Sequence, residues 1–128
     1  MSEARKTFCK EERLCSVKII NQLFEEGKVF HTSLFRVVWD YTASPQTFPA
    51  RAGFSVPKKT FRLAVTRNLI KRRMREAWRK NKSKLYEHLN EKNKNISLFI
   101  VVNAKTVPDY SSTEKAVNDA INKLISLI

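Results

Sequence analysis

Apolar and polar positions recur along the chain with two different periods, and the switches between them lay out the elements. Residues 1–14 are polar and expected to be irregular, although Phe8 and Leu14 could pack. Val17, Ile20, Leu23 and Phe24 then line one helical face behind Ser16, a suitable N-cap. Gly27 stands where a left-handed end-cap belongs, so the reading is a first helix over residues 16–26. The stretch LFRVVWDY, residues 34–41, is aromatic and β-branched, as a strand should be. Its alternation sends Phe35, Val37 and Trp39 to one face and Arg36, Val38 and Asp40 to the other. A short strand is placed before it at 28–31. A turn-rich connection over 42–49 leads to a third strand over 51–57, ended by Pro57.

A second helix is expected over 66–86 with Thr66 as its N-cap. Ala77, Ile70, Met74, Leu85 and Trp78 fall on one arc of it, and Lys71, Lys82, Arg75, Arg79 and Arg72 on the adjacent arc. Arg67 projects onto the apolar arc. Burying it unpaired would be costly, so it either reaches from the first turn into a cleft or lays its stem along the core edge. ISLFIVV, residues 96–102, reads as a strand buried on both faces. After Pro108 and Asp109, Ser111 and Glu114 have the form of a capping box, and Val117, Ala120, Ile121, Leu124 and Ile128 continue a last amphipathic helix. The order is α-β-β-β-α-β-α. No repeat or linker divides it, so residues 1–128 are read as one α+β domain, a small sheet with helices packed on it.

Charge changes this picture. The net charge is +13, and residues 62–84 alone carry ten Lys/Arg against one Glu, which is +9 of it. A solvated helix normally mixes signs at i,i+4, yet Arg67/Lys71, Lys71/Arg75 and Arg75/Arg79 are all like-charged. Such repulsion is tolerable when an anion neutralises it. A basic face serving only solubility and a helix lying on a membrane surface are the alternatives. The second is disfavoured because the apolar arc is needed to cover the sheet. No run of about 18 apolar residues exists to span a membrane, and the N-terminus has no apolar segment of a secretory signal. Cys9 and Cys15 lack the company of a zinc site and read as a reduced pair, which fits the cytoplasm. The order of elements contains no helical or zinc module for DNA. A sheet flanked by a basic helix suits RNA instead.

Protein-borne catalysis finds little support. His31 and His88 are the only histidines, and nothing in the pattern brings them together as acid and base. The segment GFSVPKKT from Gly53 faintly resembles a phosphate loop, but Pro57 stands where the second glycine should be. No carboxylate cluster has metal-site spacing. A reaction served by this chain would have its reactive site elsewhere, as in a bound RNA.

Several ordered motifs carry a family resemblance. They are Arg13-Leu14, Phe24, Gly27 and Phe35; then Gly53-Phe-Ser-Val-Pro-Lys58-Lys59; then Ala64-Val-Thr-Arg67-Asn68-Leu-Ile-Lys71-Arg72; then Arg75-Glu-Ala. In this order they resemble the protein subunit of bacterial ribonuclease P, over nearly the whole chain. The resemblance implies a two-layer α+β sandwich with a left-handed βαβ crossover. It implies a ribonucleoprotein endonuclease that removes the 5′ leader of precursor tRNA. There the catalyst is the RNA subunit with its Mg²⁺, and the protein supplies no catalytic residue and no metal ligand. Carried over position by position, Lys58, Lys59, Arg67, Asn68, Lys71, Arg72 and Arg75 would contact RNA, with Arg79 continuing that face. Ile20, Phe24, Arg36 and Val38 would line the cleft for the leader. The implied partners are the RNA subunit and precursor tRNA, without DNA or membrane. A ribosomal-type structural RNA-binding protein with no part in catalysis is the alternative. Leu69 replaces the motif's second Arg, and Ile20 and Val38 stand where aromatics are common. Thr60-Phe61-Arg62-Leu63 is one residue longer than the family's connection in this resemblance. Arg62 or Arg73 would be the replacement for the lost charge.

Overall fold

Eight elements follow one another in the computed structural model, which describes residues 12–14, 16–42 and 48–128. They are α1 Val17–Glu26, β1 Lys28–His31, β2 Phe35–Tyr41, β3 Ala50–Ser55, α2 Ala64–Asn81, α3 Ser83–Lys92, β4 Ile96–Val102 and α4 Tyr110–Leu127. Phe8, both cysteines and residues 43–47 of the turn-rich connection lie outside the described residues.

The strands form one mixed sheet in the order β1-β2-β4-β3. β1 and β4 flank β2 antiparallel, while β3 runs parallel to β4. Parallel neighbours need a crossover, and here it consists of α2 and α3. Period-two alternation gives the sheet two faces of different kind. Phe35, Val37 and Trp39 of β2, with Leu98 and Ile100 of β4 and Ala52 of β3, face the main core. That core is closed by Ile70, Met74, Ala77 and Trp78 of α2, Leu85 and Leu89 of α3, and Ala116, Val117, Ala120, Ile121 and Leu124 of α4. The predicted apolar arc is therefore the buried one. On the opposite face Val38 meets Leu14 and Leu23 in a second, smaller cluster beneath α1. α1 covers only part of that face.

Helix termini account for most departures from the sequence reading. Ser16 caps α1 as expected, its Oγ accepting from Ile19 N–H at 3.4 Å. Gly27 is not left-handed but extended (φ −71°, ψ 162°). Its glycine answers a close approach: a Cβ there would stand 2.5 Å from Leu23 O and 3.0 Å from Val38 Cγ1. The left-handed cap is Asn93 after α3 (φ 55°, ψ 45°). Asn93 N–H donates to Asn90 O and Lys94 N–H to Leu89 O, a Schellman closure. α2 starts at Ala64, before Thr66, because no side chain caps it and the preceding loop is tied in another way, described below. α4 is capped by Asp109, not by Ser111. The carboxylate accepts from Ser112 N–H at 2.7 Å, so the start lies two residues earlier than the capping-box reading.

The long helix expected over 66–86 is two, α2 and α3, meeting at Lys82. Lys82 keeps helical dihedrals (φ −68°, ψ −24°), so the apolar period runs straight through the joint. Asn81 Nδ2 donates to Ala77 O at 2.8 Å, and a side chain inserted at a ladder carbonyl is a recognised cause of helix bends. Lys82 does not belong to the wet face. Its side chain is 1% exposed and paired with Glu12, which is 0% exposed and also accepts from the Tyr86 hydroxyl. Glu12–Leu14 are thus anchored, not irregular: Arg13 bridges to Ala52, and Leu14 N–H donates to Ala52 O at 3.0 Å.

Candidate RNA-binding surface

α2 has a buried pole and, opposite it, a solvent pole along Val65, Asn68, Leu69, Arg72, Arg75, Glu76 and Arg79. The C-terminal half of this stripe borders a concavity of about 390 Å³ lined by Arg13, Arg72, Arg73, Arg75, Glu76, Arg79 and Tyr110. One carboxylate offsets five guanidinium groups there. Arg79 Nε donates to Glu76 at 2.5 Å. That bond holds the Glu76 carboxyl below the usual carboxylate range and raises Arg79 further, so both stay charged. Arg73 donates to Pro108 O at 2.7 Å. Burial, then the Glu114 charge, pushes the Tyr110 hydroxyl upward, so its ring faces the arginines neutral. The arrangement suits a polyanion: a fixed set of planar donors on a rigid helix, beside an aromatic ring.

The expected contact residues divide four ways. Arg72, Arg75 and Arg79 share the arginine concavity, and Asn68, Arg72 and Arg75 also line a second one of about 490 Å³ with Val65 and Leu69. Lys58 and Lys59 are exposed on the turn between β3 and α2. Lys71 is half-buried on α2 and lines neither concavity. Arg67 does something else. Its Nη1 donates to Phe61 O at 2.9 Å and to Arg62 O at 2.7 Å. Half-buried beside the core residue Phe61, it fastens the β3–α2 loop to the first turn of α2. Its place on the apolar arc is explained without a buried unpaired charge. Arg73, considered as a stand-in for the charge missing at Leu69, is held at Pro108 and lines the arginine concavity instead.

Ile20, Phe24 and Arg36 do converge beside α1. Phe24 is 41% exposed, meets the Phe99 ring edge-on at 5.6 Å and carries the Arg36 guanidinium 5.7 Å above its ring. Ile20 packs against the same cluster as Phe99. Val38 departs from the expectation. It is 0% exposed under α1 and forms the floor, so no ligand reaches it. Gly53 lets this surface exist: a Cβ there would lie 2.5 Å from Phe99 Cδ1, so only a glycine leaves room for the ring over β3. Sequence reasoning missed Arg13, Tyr110 and Phe99 as surface components. The first two come from separate segments that only tertiary packing joins to α2. Phe99 hid in an apolar run read as wholly buried.

Among the described residues no three His, Cys, Asp or Glu side chains stand together as a metal group, and no helix is long and apolar enough to cross a membrane. The ribonuclease P family model matches residues 8–125 of the chain. The chain belongs to the ribonuclease P protein family. It is 35% identical over 115 residues to the ribonuclease P protein component of Porphyromonas gingivalis, covering 90% of this chain and 84% of that one. It is 42% identical over 76 residues to the component from Citrifermentans bemidjiense, covering 59% and 62% respectively. Among solved structures, the ribonuclease P protein of Thermotoga maritima superposes with a TM-score of 0.70 at 22% identity, covering 88% of this chain and 96% of that one. The Staphylococcus aureus protein gives 0.69 at 19%, covering 88% and 94%. At those identities the likeness establishes the fold, and the α+β class read from the sequence agrees with it. Membership ties the chain to tRNA processing by a nuclease, with ribonuclease P activity residing in the holoenzyme.

Proposed function

We propose that this ribonuclease P protein binds the catalytic RNA subunit through the solvent pole of α2. It holds the 5′ leader of precursor tRNA against the Ile20–Phe24–Arg36 surface and assists Mg²⁺-dependent cleavage by the RNA. The observation that carries this reading is the arginine concavity, where five guanidinium groups, four of them on α2, meet one carboxylate. Lys58, Lys59, Asn68, Lys71, Arg72, Arg75 and Arg79 extend or line that field; the exposed ones supply phosphate contacts, and Arg67 supports them from below. Phe24 and Arg36 offer what a single strand needs, an aromatic ring for a base and a cation for its phosphate, without demanding a sequence. No three His, Cys, Asp or Glu side chains stand together among the described residues, and Mg²⁺ typically sits on one or two carboxylates with phosphates. In this reading the ion is bound mainly by the RNA subunit, and no step is assigned to the protein's own atoms. The working compartment is the cytoplasm, where precursor tRNA is made in bacteria.

Precursor-tRNA cleavage by a bacterial ribonuclease P RNA at low Mg²⁺, with and without the protein, tests this. Cleavage at the mature 5′ end should depend on the protein and be lost with Arg72→Ala plus Arg75→Ala. Affinity for the RNA should fall steeply with salt, as expected for about 5–8 phosphate contacts. Tight RNA binding without any stimulation of cleavage across several RNA subunits would identify a structural RNA-binding protein instead.

A further inference from the structure

The solvent pole of α2 changes character half-way. Its C-terminal part is arginine, but its N-terminal part is apolar: Val65 is 80% exposed, and Leu63 just before the helix is 70% exposed. Leu69 sits one turn further on. Val65, Asn68 and Leu69 line the concavity of about 490 Å³ that ends at Arg72 and Arg75. Its volume lies in the roughly 300–1,000 Å³ range of small-ligand sites. An aliphatic shelf cannot hold a phosphate. It can hold the flat face of a base. Neither Arg72 nor Arg75 has a hydrogen-bond or ion-pair partner among the described residues, so both remain available at the rim. The charge complementarity at that rim selects a polyanion over a protein surface.

We propose that the Val65–Leu69 shelf takes one unstacked nucleotide of the RNA subunit, its base on Leu69 and Val65 and its flanking phosphates on Arg72 and Arg75. Asn68, exposed beside the shelf, offers a donor and an acceptor to the base edge. This inference rests on the RNA-binding reading above, but it makes a different demand, because it requires an apolar component of affinity that salt does not screen.

The test measures binding of the full-length protein to a bacterial ribonuclease P RNA across a salt series. Leu69→Ala should raise Kd by roughly 5- to 10-fold, the lower end of what one base contact supplies, with the salt slope unchanged. Arg72→Ala should instead flatten the slope by roughly 0.7–0.9. Val65→Ser should follow Leu69→Ala in direction, and at 80% exposure it carries no folding risk. Chemical probing of base edges should show a nucleotide protected by the wild type that becomes reactive with Leu69→Ala, while backbone protections persist. A Kd within twofold of wild type for both apolar variants would overturn the proposal, as would a change in slope. A shift in oligomeric state with unaltered RNA affinity would assign the shelf to protein contact and overturn it as well. Failure of the wild type to bind any ribonuclease P RNA would remove the functional reading itself, whereas wild-type binding with silent apolar variants removes only the shelf.

Discussion

Replacing Lys82 by Met tests whether the joint between α2 and α3 is structural. Lys82 and Glu12 are 1% and 0% exposed, and the Tyr86 hydroxyl gives the same carboxylate a hydrogen bond. The Lys82 ammonium also lies 5.3 Å from the Tyr86 ring centre. Removing one member of such a pair leaves the other charge buried without its counter-ion, a loss of roughly 3–5 kcal/mol. Domains of this size are stable by only about 5–15 kcal/mol. With a urea m-value of about 2 kcal/mol per M, the midpoint should fall by roughly 2 M. Glu12→Leu alone should cost a similar amount. The double variant Glu12→Leu/Lys82→Met should regain most of the loss, since an apolar pair of similar volume can replace a buried ion pair with little penalty. The assay is urea unfolding followed by circular dichroism for the four proteins of the cycle. Single variants within about 1 kcal/mol of wild type would refute the argument, and so would a double variant whose loss is the sum of the singles. RNA affinity of folded Lys82→Met should match wild type, in contrast to what its place on the cationic arc of a helical wheel suggests.

Arg67→Ala should lower stability by about 1–3 kcal/mol without any RNA present, because two charged hydrogen bonds to Phe61 O and Arg62 O are lost; thermal melts should separate it from Arg72→Ala, which leaves stability unchanged. Gly53→Ala should cost about 1–3 kcal/mol by forcing the Phe99 ring aside, and should weaken precursor binding more than binding of the RNA subunit alone. Hydrogen bonding to Ser112, backbone first, depresses the Asp109 carboxyl below its usual value, so its contribution is present above the unfolded value and is lost as pH falls through the folded one. Asp109→Ala should therefore melt earlier than wild type at pH 7, and the gap should close as pH drops below about 4; a constant gap would count against the cap.

Period and alternation are local properties, and what they govern was legible. The two faces of β2, the buried arc of α2 and the α+β order could be read from residue spacing alone. The family motifs likewise placed Arg72, Arg75 and Phe24 on the surface where the structure has them. Helix ends were less legible because capping is a choice among neighbours: Asp109 and Ser111 are both good caps, and geometry selects Asp109. What could not be read is whatever depends on a distant partner. Lys82 looks like any lysine on a basic helix until Glu12, 70 residues earlier, is placed against it. Nothing in the spacing shows that Arg67 ties down the loop carbonyls before α2. Val38 looks available until α1 is laid over it.

The distribution of partners along α2 bears on how one helix can be both core element and polyanion surface. Concentrating ten cations in residues 62–84 sets like charges at i,i+4 along the helix, which destabilises it when the anion is absent. The structure relieves this at particular places. Arg67 is spent on loop carbonyls, Arg73 on Pro108, Arg79 on Glu76 and Lys82 on Glu12. The two carboxylates neutralise their cations and the carbonyls hold theirs by hydrogen bonds, and together the ties hold the loop before α2, the start of α4 and the N-terminal segment. Arg72 and Arg75, at the solvent pole, are not tied in this way. The residual repulsion is thus focused where a polyanion would sit. Any anion that relieves it binds the folded chain better than the unfolded one, so RNA binding and stability of this helix must rise together.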